Sequence, residues 1–471
     1  MNKTQLVVIG AGPGGYAAAF AAADLGMNVT AIDLDKNPGG VCLYRGCIPS
    51  KALLHVAKLL NETKEAAHWG IEFDAPKINL DKLREWKSSV VGKMTGGLGV
   101  LAKQRKINYI QGRATFTSSK TLKIDKVDGT TEELEFEKAI IAIGSEITTI
   151  PAFNIESKRL LNSTSALDLP AIPQRLLVIG GGYIGLELGS VYNALGSKVS
   201  VIEMTPGLLP GADRDLVQHL SKMITAKFEK IMLESKVISL EDKEDGILVK
   251  MQDKNGNPFE EKYDYVLASI GRRPNTKGLG LENTKVKTTQ RGFIAVNKQL
   301  QTDDPNIFAI GDIAGDPMLA HKASHEARVA VETIAGHRTA FEPLAIPAVV
   351  FTDPELCWAG ITETEAREKG IKHEVAKFPW AASGRATTLD RTDGLTKLII
   401  DPDNGRILGV GICGPGAGEL IAEGTLAIEM GATAEDLKLT IHPHPTLSET
   451  VMEAAEVFYG QSVHIYRPKR K

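Results

Sequence analysis

The 471-residue sequence predicts an α/β protein that contains one βαβ unit twice and a third α/β unit after the second copy. Three observations predict this fold class. An apolar run, a glycine-rich turn and a helical stretch follow one another from Leu6, and the same succession begins again at Leu176. Each copy closes with a second short apolar run that ends on an acid. Beyond Pro343, β-like and helical patterns alternate without another glycine-rich turn, which indicates an α/β unit of a different kind.

Composition and charge exclude several classes of protein. With 55 basic and 58 acidic residues the net charge is −3, too close to zero for nucleic-acid binding through bulk electrostatics. No run of about 18 uncharged apolar residues occurs, so we expect no membrane span. No targeting pattern precedes the first apolar run, so we expect a cytoplasmic protein.

Four cysteines in a chain of this length cannot form a disulfide scaffold. They suit a reducing compartment, where a cysteine pair is more often catalytic or metal-binding than structural. Cys357 and Cys413 lie in apolar or glycine-rich surroundings, so we expect them to be structural. Any cysteine chemistry is therefore expected at the other two.

The two βαβ units match in the spacing of their glycines and acids. In each, the closing acid follows the first glycine by 23 residues, from 10 to 33 and from 180 to 203. A lone G-x-G-x-x-G pattern is weak evidence, but here each copy follows a strand pattern and opens a helix pattern, as in Rossmann-like dinucleotide-binding domains. The alternative is a pair of glycine-rich turns without a ligand. The matched residues are Gly10, Gly12, Gly15 and Asp33 in the first copy, and Gly180, Gly182, Gly185 and Glu203 in the second.

Each residue type has a defined role in such a unit. The glycines allow a tight turn, the helix amino terminus receives a pyrophosphate, and the acid binds a ribose hydroxyl. Glu203 favours NAD over NADP, because a 2′-phosphate would meet a carboxylate rather than an arginine. Two dinucleotide sites imply two electron carriers that exchange a hydride, most economically a bound flavin and a nicotinamide.

Cys42 and Cys47 lie shortly after the first βαβ unit. On an ideal helix, Cα atoms five residues apart are roughly 8.6 Å from each other, beyond the ~7 Å reach of a disulfide. A bond here needs a distorted turn, which Gly46 can supply, and a distorted disulfide is the labile, reactive kind. Arg45 and a helix amino terminus would favour a thiolate. The alternatives are two unrelated buried cysteines or a metal site, but no further Cys or His nearby completes a ligand set.

The remaining segments are predicted in outline. Helical periodicity covers much of residues 51–110, a small β-meander follows at 107–143, and further short strands are predicted at 231–270. The glycines at 96, 97 and 99 lack the preceding strand of a phosphate loop, so we expect a helix break there. In the third unit, strands are predicted at 348–351 and 394–400 and helices at 418–430 and 448–459.

The segment from Cys42 to Lys51 resembles the redox-active signature of the flavoprotein pyridine nucleotide-disulfide oxidoreductases. Its Ile-Pro-Ser-Lys ending resembles that of the dihydrolipoamide dehydrogenase branch of the family. The resemblance covers essentially the whole chain, and Asp33, Tyr44 and Ile143, which depart from the usual residues, remove no reacting group. Beyond the glycine turns it includes the segments at 268–275, 308–312 and 442–449.

The resemblance implies one non-covalent FAD per subunit and NAD+ as co-substrate. Lys51 would lie near the reactive edge of the flavin and pair with Glu187, and Asp312 would bind the ribityl chain. Gly271, within the segment at 268–275, and Gly144, next to the departing Ile143, complete the cofactor-binding set. The first glycine turn with its acid would bind the adenosine half of FAD, and the second would bind NAD+.

The resemblance also implies the catalytic roles. Cys42 would exchange with substrate, Cys47 would contact the flavin, and His444 would be the general base, oriented by Glu449. Chemistry supports this, because oxidising a dithiol requires proton removal near neutral pH, where imidazole titrates. A carboxylate on the other ring nitrogen fixes the tautomer. The alternative for His442 and His444 is a pair of turn residues or a weak metal pair, and His442 has no assigned role.

The activity implied is the oxidation of protein-bound dihydrolipoyl groups to lipoyl groups with NAD+ as acceptor, in 2-oxo acid dehydrogenase complexes and, as a further candidate, in glycine cleavage. The implied partners are a second copy of the chain, lipoyl domains with the core acyltransferase, and the glycine-cleavage lipoyl carrier. In the homodimer, His444 would serve the partner subunit's disulfide. The first strand begins near residue 6, so we expect no appended lipoyl domain.

Three alternatives have specific discriminators. A glutathione or mercuric reductase is disfavoured by Glu203, by the Ser50-Lys51 ending and by the lack of a cysteine after position 413. A flavin transhydrogenase without thiol chemistry should lack the Cys42–Cys47 pair. A non-catalytic structural component should not retain the cysteines, the lysine and the histidine together.

Four domains are predicted. Residues 1–146 form the first segment of the FAD-binding domain, and 147–270 form the NAD-binding domain. Residues 271–342 form a central domain that completes the FAD site. Residues 343–471 form a dimerisation domain, whose basic tail at 467–471 is expected to be solvated.

Overall fold

Two largely parallel sheets and one antiparallel sheet organise the computed structural model, which describes residues 2–466. The predicted fold class is confirmed, and the basic tail lies outside the described residues. No helix within residues 2–466 is long and apolar enough to cross a membrane.

The first sheet is built mainly by the first third of the chain. Leu6–Ile9 are all buried, as expected for a parallel strand covered on both faces. The alanine-rich helix after them carries small side chains that let it pack closely on the sheet. The strands of this part of the chain are β1 (Asn2–Ile9), β2 (Val29–Asp33), β3 (Asn108–Ser118), β4 (Thr121–Lys126), β5 (Thr131–Ile141) and β6 (Ser145–Ile147), of which β6 lies outside the sheet, and the helices are α1 (Pro13–Asp24), α2 (Gly40–Arg45), α3 (Cys47–Glu65) and α4 (Leu80–Gln104).

The predicted meander at 107–143 is confirmed as β3, β4 and β5, but its two outer strands also pair with strands of the parallel sheet. The first part of β3 pairs in parallel with β2, and the second part of β5 pairs in parallel with β1. The second part of β3 and residues 131–135 of β5 pair with β4 as an antiparallel meander, and Leu134 and Glu135 have a partner on both sides. The two long strands therefore belong both to the parallel sheet and to the meander.

The predicted helix break at the glycines of 96–99 is wrong, because α4 runs without interruption from Leu80 to Gln104. A Cβ added to Gly96 or Gly97 would meet no neighbouring atom within 4 Å, so no contact there demands glycine. Gly99 is different, since a Cβ would overlap the Asn37 side chain. Glycine in a helix costs only about 1 kcal/mol relative to alanine, which a long helix with other packing tolerates.

The second parallel sheet has the strand order β10-β9-β8-β14-β7, with an antiparallel meander of three strands beside it. The short strand β15 pairs with β6, so two antiparallel strands connect the first and second sheets. The strands are β7 (Leu160–Asn162), β8 (Arg175–Ile179), β9 (Lys198–Ile202), β10 (Lys230–Met232), β11 (Lys236–Lys243), β12 (Gly246–Gln252), β13 (Pro258–Tyr263), β14 (Tyr265–Ala268) and β15 (Arg272–Pro274), and the helices are α5 (Tyr183–Leu195) and α6 (Arg214–Lys227).

The chain then returns to the first sheet. Strand β16 (Ile307–Ala309) pairs in parallel with β5, and helix α7 (Ala320–Ile334) packs on α1. The parallel part of the first sheet thus has the order β3-β2-β1-β5-β16. The 3₁₀ turn at Gly311–Ile313 follows β16 directly at the carboxyl end of the sheet, which is where open α/β sheets bind ligands.

The last third of the chain forms an antiparallel sheet of order β17-β18-β21-β20-β19 with helices packed on it. Trp380, Cys357 and Cys413 are fully buried in this region, in agreement with a structural role for both cysteines. The strands are β17 (Ala348–Val350), β18 (Glu355–Gly360), β19 (Glu374–Pro379), β20 (Leu395–Ile400) and β21 (Ile407–Gly414), and the helices are α8 (Glu363–Glu368), α9 (Gly384–Thr388), α10 (Ala417–Glu429), α11 (Ala434–Leu439) and α12 (Glu449–Tyr459).

Candidate active site

The first glycine turn lies between β1 and α1 and is tightly enclosed at two of its three glycines. Gly10 has φ +91°, and a Cβ there would lie 2.5 Å from the Ala142 carbonyl oxygen. A Cβ on Gly15 would overlap the Gly10 carbonyl oxygen. Gly12 is different, because the only atom near its Cβ position is Gly40 Cα at 3.9 Å. The turn therefore leaves open space at the amino terminus of α1, as a pyrophosphate requires.

The second glycine turn repeats this geometry between β8 and α5. Gly180 has φ +105°, and its Cβ would lie 2.5 Å from the Ser269 carbonyl oxygen. A Cβ on Gly185 would overlap the Gly180 carbonyl oxygen, whereas Gly182 meets nothing within 4 Å. The same division into two enclosed glycines and one open glycine makes both turns suitable for a dinucleotide.

The closing acids also make equivalent contacts. Asp33 Oδ2 accepts a hydrogen bond from Ala11 N at 2.5 Å, and Glu203 Oε2 accepts one from Gly181 N at 2.6 Å. The other oxygen of each carboxylate accepts from the backbone N–H two residues further on, at 3.0 and 2.8 Å. Burial raises the pKa of Asp33 in spite of these bonds. Each acid is thus fixed against its own glycine turn, where a ribose hydroxyl would lie.

A cavity of about 410 Å³ extends from the first glycine turn to the cysteine pair. It brings together nine of the residues that the sequence predicts for the site, and among residues 2–466 the other eight lie outside its lining. The nine are Gly10, Gly12, Asp33, Cys42, Cys47, Lys51, Gly144, Glu187 and Asp312, and the eight are Gly15, Gly180, Gly182, Gly185, Glu203, Gly271, His444 and Glu449.

The cysteine pair lies at a break between two helices. Gly46, with φ −146° and ψ −111°, separates α2 from α3, so the distorted turn expected from the sequence is present. Both cysteines are thiols here, and a hydrogen bond between them together with burial raises the pKa of Cys42. The same hydrogen bond, with the charge of Lys51, lowers the pKa of Cys47 to about 7. Cys47 is therefore the thiol of the pair that ionises near neutral pH.

Lys51 and Glu187 join the first and second parts of the site. Lys51 Nζ lies 2.8 Å from Glu187 Oε2, and only 4% of the Glu187 side chain is exposed. Lys51 is one helical turn beyond Cys47 on α3, whereas Glu187 is on α5. The ion pair therefore lies at the end of the cavity that holds the cysteines.

Asp312 is held by two residues that the sequence did not single out. Ser145 Oγ donates to Asp312 Oδ2 at 2.5 Å. Arg272 donates to Ser145 Oγ at 2.7 Å and to its carbonyl oxygen at 2.6 Å. These two residues directly follow Gly144 and Gly271, so their places next to two predicted cofactor-binding glycines were the available signal. The chain of bonds runs through the two-stranded connection of β6 and β15.

His444 and Glu449 form the hydrogen bond that the sequence predicts. His444 Nδ1 lies 2.9 Å from Glu449 Oε1, and Thr446 N–H donates to Glu449 Oε2 at 2.7 Å. Burial alone would raise the pKa of Glu449, but these two bonds outweigh it and the net shift is downward. The His444 side chain is 73% exposed, so its free nitrogen points to a surface of the single chain.

Comparisons with known proteins agree with this geometry. The pyridine nucleotide-disulphide oxidoreductase family matches residues 4–327, and its dimerisation domain matches residues 346–455. Dihydrolipoyl dehydrogenases of Vibrio cholerae and Haemophilus influenzae are 50% and 51% identical over 469 residues, covering 100% of this chain and 98% of each relative.

Solved structures give the same result for the fold. LpdA from Mycobacterium tuberculosis superposes with a TM-score of 0.89 at 27% identity, covering 97% of this chain and 99% of that one. The HOCl-induced flavoprotein disulfide reductase RclA from Escherichia coli gives 0.86 at 28% identity, with the same coverage. Because the two family matches together span nearly the whole described chain, the protein belongs to the pyridine nucleotide-disulphide oxidoreductase family.

Proposed function

We propose that the protein oxidises protein-bound dihydrolipoyl groups to lipoyl groups and reduces NAD+ to NADH, which is dihydrolipoyl dehydrogenase activity. One observation carries the proposal: the cavity holds a pair of neighbouring cysteines of which one, Cys47, ionises near pH 7 beside the Lys51–Glu187 ion pair. The full-length relatives at 50% identity that carry this name support the choice of substrate.

FAD and NAD+ are the cofactors of this activity. The residues fit FAD, because Gly12 leaves open space at the amino terminus of α1 and Asp33, Lys51 and Asp312 line the cavity that continues from it. The chemistry that bound FAD supplies is two-electron transfer between the cysteine pair and NAD+. The domain limits belong to the proposal: 1–146 and 271–342 for FAD, 147–270 for NAD+ and 343–471 for the dimer.

The chain's own groups account for the thiol chemistry. A dihydrolipoyl thiolate attacks the Cys42 sulfur, the Cys42–Cys47 bond breaks, and its electron pair leaves on Cys47 as a thiolate. His444 takes the substrate proton at Nε2, because Nδ1 is bonded to Glu449. The second lipoyl thiol then displaces Cys42 and forms the lipoyl disulfide; its proton goes to the departing Cys42 sulfur, which leaves as a thiol, so His444 ends with one proton and Cys47 with the negative charge. The low pKa of Cys47 makes it the better leaving group.

Glu203 supports NAD+ over NADP+ as the acceptor. Its carboxylate lies against the second glycine turn through the 2.6 Å bond to Gly181 N, where a 2′-phosphate would meet a like charge. Replacing NAD+ by NADP+ in a turnover assay should lower kcat/KM by about 100-fold or more, a difference of ~3 kcal/mol. Comparable rates with the two nucleotides would contradict this role of Glu203.

The dimerisation domain implies a homodimer. The specific partners are part of the proposal: lipoyl domains and the core acyltransferase of 2-oxo acid dehydrogenase complexes, with the glycine-cleavage lipoyl carrier as a further candidate. The proposed compartment is the cytoplasm. Within the dimer, we assign His444 to the disulfide of the partner subunit. Its 73% exposure and its place outside the cavity lining support that assignment.

An anaerobic titration of the FAD-loaded protein with dihydrolipoamide tests the function. One equivalent should produce the long-wavelength absorbance of a thiolate beside an oxidised flavin, and NAD+ should abolish it with formation of NADH. A Cys47→Ser variant should give no response to the substrate. If glutathione produced the absorbance and dihydrolipoamide did not, the protein would be a disulfide reductase of another specificity.

A further inference from the structure

Phe351, from the last third of the chain, contacts the Lys51–Glu187 ion pair, which belongs to the other two parts. It directly follows β17, and its backbone N–H donates to Glu187 Oε1 at 3.0 Å. Lys51 Nζ lies 4.3 Å from the centre of its ring. Because Glu187 Oε2 already bonds Lys51 at 2.8 Å, both oxygens of the buried carboxylate are engaged. All three parts of the chain therefore meet at one ammonium group.

The contacts fix the ammonium group in place. A buried carboxylate is costly unless its oxygens are bonded, so the Phe351 N–H and Lys51 together satisfy both oxygens of Glu187 and orient its side chain. An ammonium within about 6 Å of an aromatic centre is attracted to the ring face. Lys51 is held from one side by a carboxylate and from another by a ring, which restricts an otherwise flexible four-carbon side chain.

The position of the ammonium matters to the reacting sulfur. The Lys51 charge favours the Cys47 thiolate, whereas the Glu187 charge opposes it, so the balance depends on how closely the pair is held together. The titratable groups that face Cys47 from the packed elements are Cys42 on α2, Lys51 on α3, Glu187 and Tyr183 on α5, and Tyr16 on α1.

We propose that the ring of Phe351 is a positioning residue for the dithiol reaction: it holds the Lys51 ammonium so that its charge stabilises the Cys47 thiolate. The proposal rests on the proposed function for the identity of the reaction, but the thiolate itself can be observed without substrate. Under this proposal, the third α/β unit acts on the cysteine pair of its own chain, in addition to its part in dimerisation.

Two substitutions distinguish the effect of the aromatic ring face from the effect of the side chain's volume. Phe351→Leu keeps the backbone N–H and most of the apolar volume but removes the ring face, whereas Phe351→Tyr keeps the ring. Phe73→Leu, at a ring that is 60% exposed and outside the lining of the cavity, is the matched control for the substitution itself. Each variant is prepared with FAD bound, and its FAD content and Tm are compared with the wild type.

The readout is the long-wavelength absorbance of the two-electron-reduced holoprotein as a function of pH. We expect Phe351→Leu to raise the pH at which half of this absorbance is lost by about half a unit or more. The reason is that a less firmly held Lys51 ammonium stabilises the Cys47 thiolate less. The kcat for dihydrolipoamide should fall by about 3- to 10-fold with little change in KM. Phe351→Tyr and Phe73→Leu should remain near the wild-type values.

Two outcomes would overturn the proposal. An unchanged pH of half-loss in Phe351→Leu would show that the ring does not act on Cys47. Equal shifts in Phe351→Leu and Phe351→Tyr would show that only the packing of the original side chain matters. If the wild type gave the absorbance with dithionite but did not oxidise dihydrolipoamide, the proposed function would fail, while the pH comparison would still decide the role of Phe351.

Discussion

At the scale of single residues, His444 combines a free ring nitrogen with a fixed tautomer. Its Nδ1 is bonded to Glu449, whose second oxygen is held by Thr446 N–H, so the imidazole is oriented through two bonds. His444→Gln keeps a side chain of similar size that can still bond Glu449 but removes the base. We expect dihydrolipoamide oxidation to fall by ~100-fold or more with FAD still bound.

The control for His444→Gln is the oxidation of NADH by an artificial electron acceptor, which needs no proton removal from a thiol. This activity should stay within about twofold of the wild type. Near-normal oxidation of dihydrolipoamide by the variant would exclude His444 as the general base.

The Cys42–Cys47 hydrogen bond makes a separate prediction about pH. It is the largest contribution that lowers the pKa of Cys47 to about 7 from its ordinary value of 9.0. With a lowered pKa, the thiolate persists above about pH 7 and is protonated below it. In Cys42→Ser no disulfide can form, and the serine hydroxyl can still donate a hydrogen bond to the Cys47 sulfur. As the pH is lowered, the absorbance of the Cys47 thiolate beside oxidised FAD should therefore be half lost near pH 7. In Cys42→Ala, which lacks the donor, half-loss should occur at a higher pH.

This pair of variants is measured without any reductant or substrate, by titrating the visible spectrum of each FAD-loaded protein. Equal midpoints in Cys42→Ser and Cys42→Ala would show that the hydrogen bond does not control Cys47.

The residues of the site were predictable where the chemistry lies in a local pattern. Cys42, Cys47, Lys51 and the glycines stand in short segments whose spacing alone is informative. Ser145, Arg272 and Phe351 were not singled out, because each acts on a partner more than 100 residues away in the chain. A serine or phenylalanine in a strand pattern carries no signal of such a contact.

At the scale of elements, the helix α4 shows how packing overrides a local preference. Three glycines within four residues predicted a break, yet the helix continues through them. Gly97 is exposed and has no neighbour near its Cβ position, whereas Gly99 is buried against Asn37. Only the second glycine is required by a contact, and the sequence does not distinguish it from the first.

The two glycines therefore predict opposite effects on stability. Gly97→Ala should stabilise the helix by about 1 kcal/mol, because alanine loses less backbone entropy. Gly99→Ala should destabilise by about 1–3 kcal/mol, because its Cβ would overlap the Asn37 side chain. Differential scanning calorimetry of the FAD-loaded variants should give a raised Tm for the first and a lowered Tm for the second. A lowered Tm in both would mean that helix continuity at Gly97 also depends on glycine.

The repeated βαβ unit was the most predictable part of the fold, because its glycines, helix and acid lie within one continuous stretch. The sharing of β3 and β5 between the parallel sheet and the meander was not predictable. Strand register between segments about 80 to 130 residues apart is decided by tertiary packing, and alternation within a strand does not report its neighbour.

At the scale of the whole molecule, the proposed thiol site needs a second chain, because the proposed base lies away from the cysteines. The cysteines line the cavity, but His444 lies outside it at 73% exposure. Large apolar side chains of the same domain are also exposed: Leu426 at 61%, Met430 at 75% and Ile441 at 95%. Exposed apolar groups of this kind mark an association surface, and the family's dimerisation domain covers these residues. A two-fold dimer would bury them and bring each His444 toward the other chain.

Hybrid dimers test this arrangement directly. A Cys47→Ser chain and a His444→Gln chain, carrying different affinity tags, are co-expressed and the hybrid is isolated by two successive purifications. If His444 serves the partner subunit, one site of the hybrid combines intact cysteines with an intact histidine, while the other carries both defects. We therefore expect about half of the wild-type dihydrolipoamide oxidation per dimer, although each variant homodimer retains about 1% or less. If His444 acted within its own chain, both sites of the hybrid would be defective and its activity would stay at the level of the homodimers.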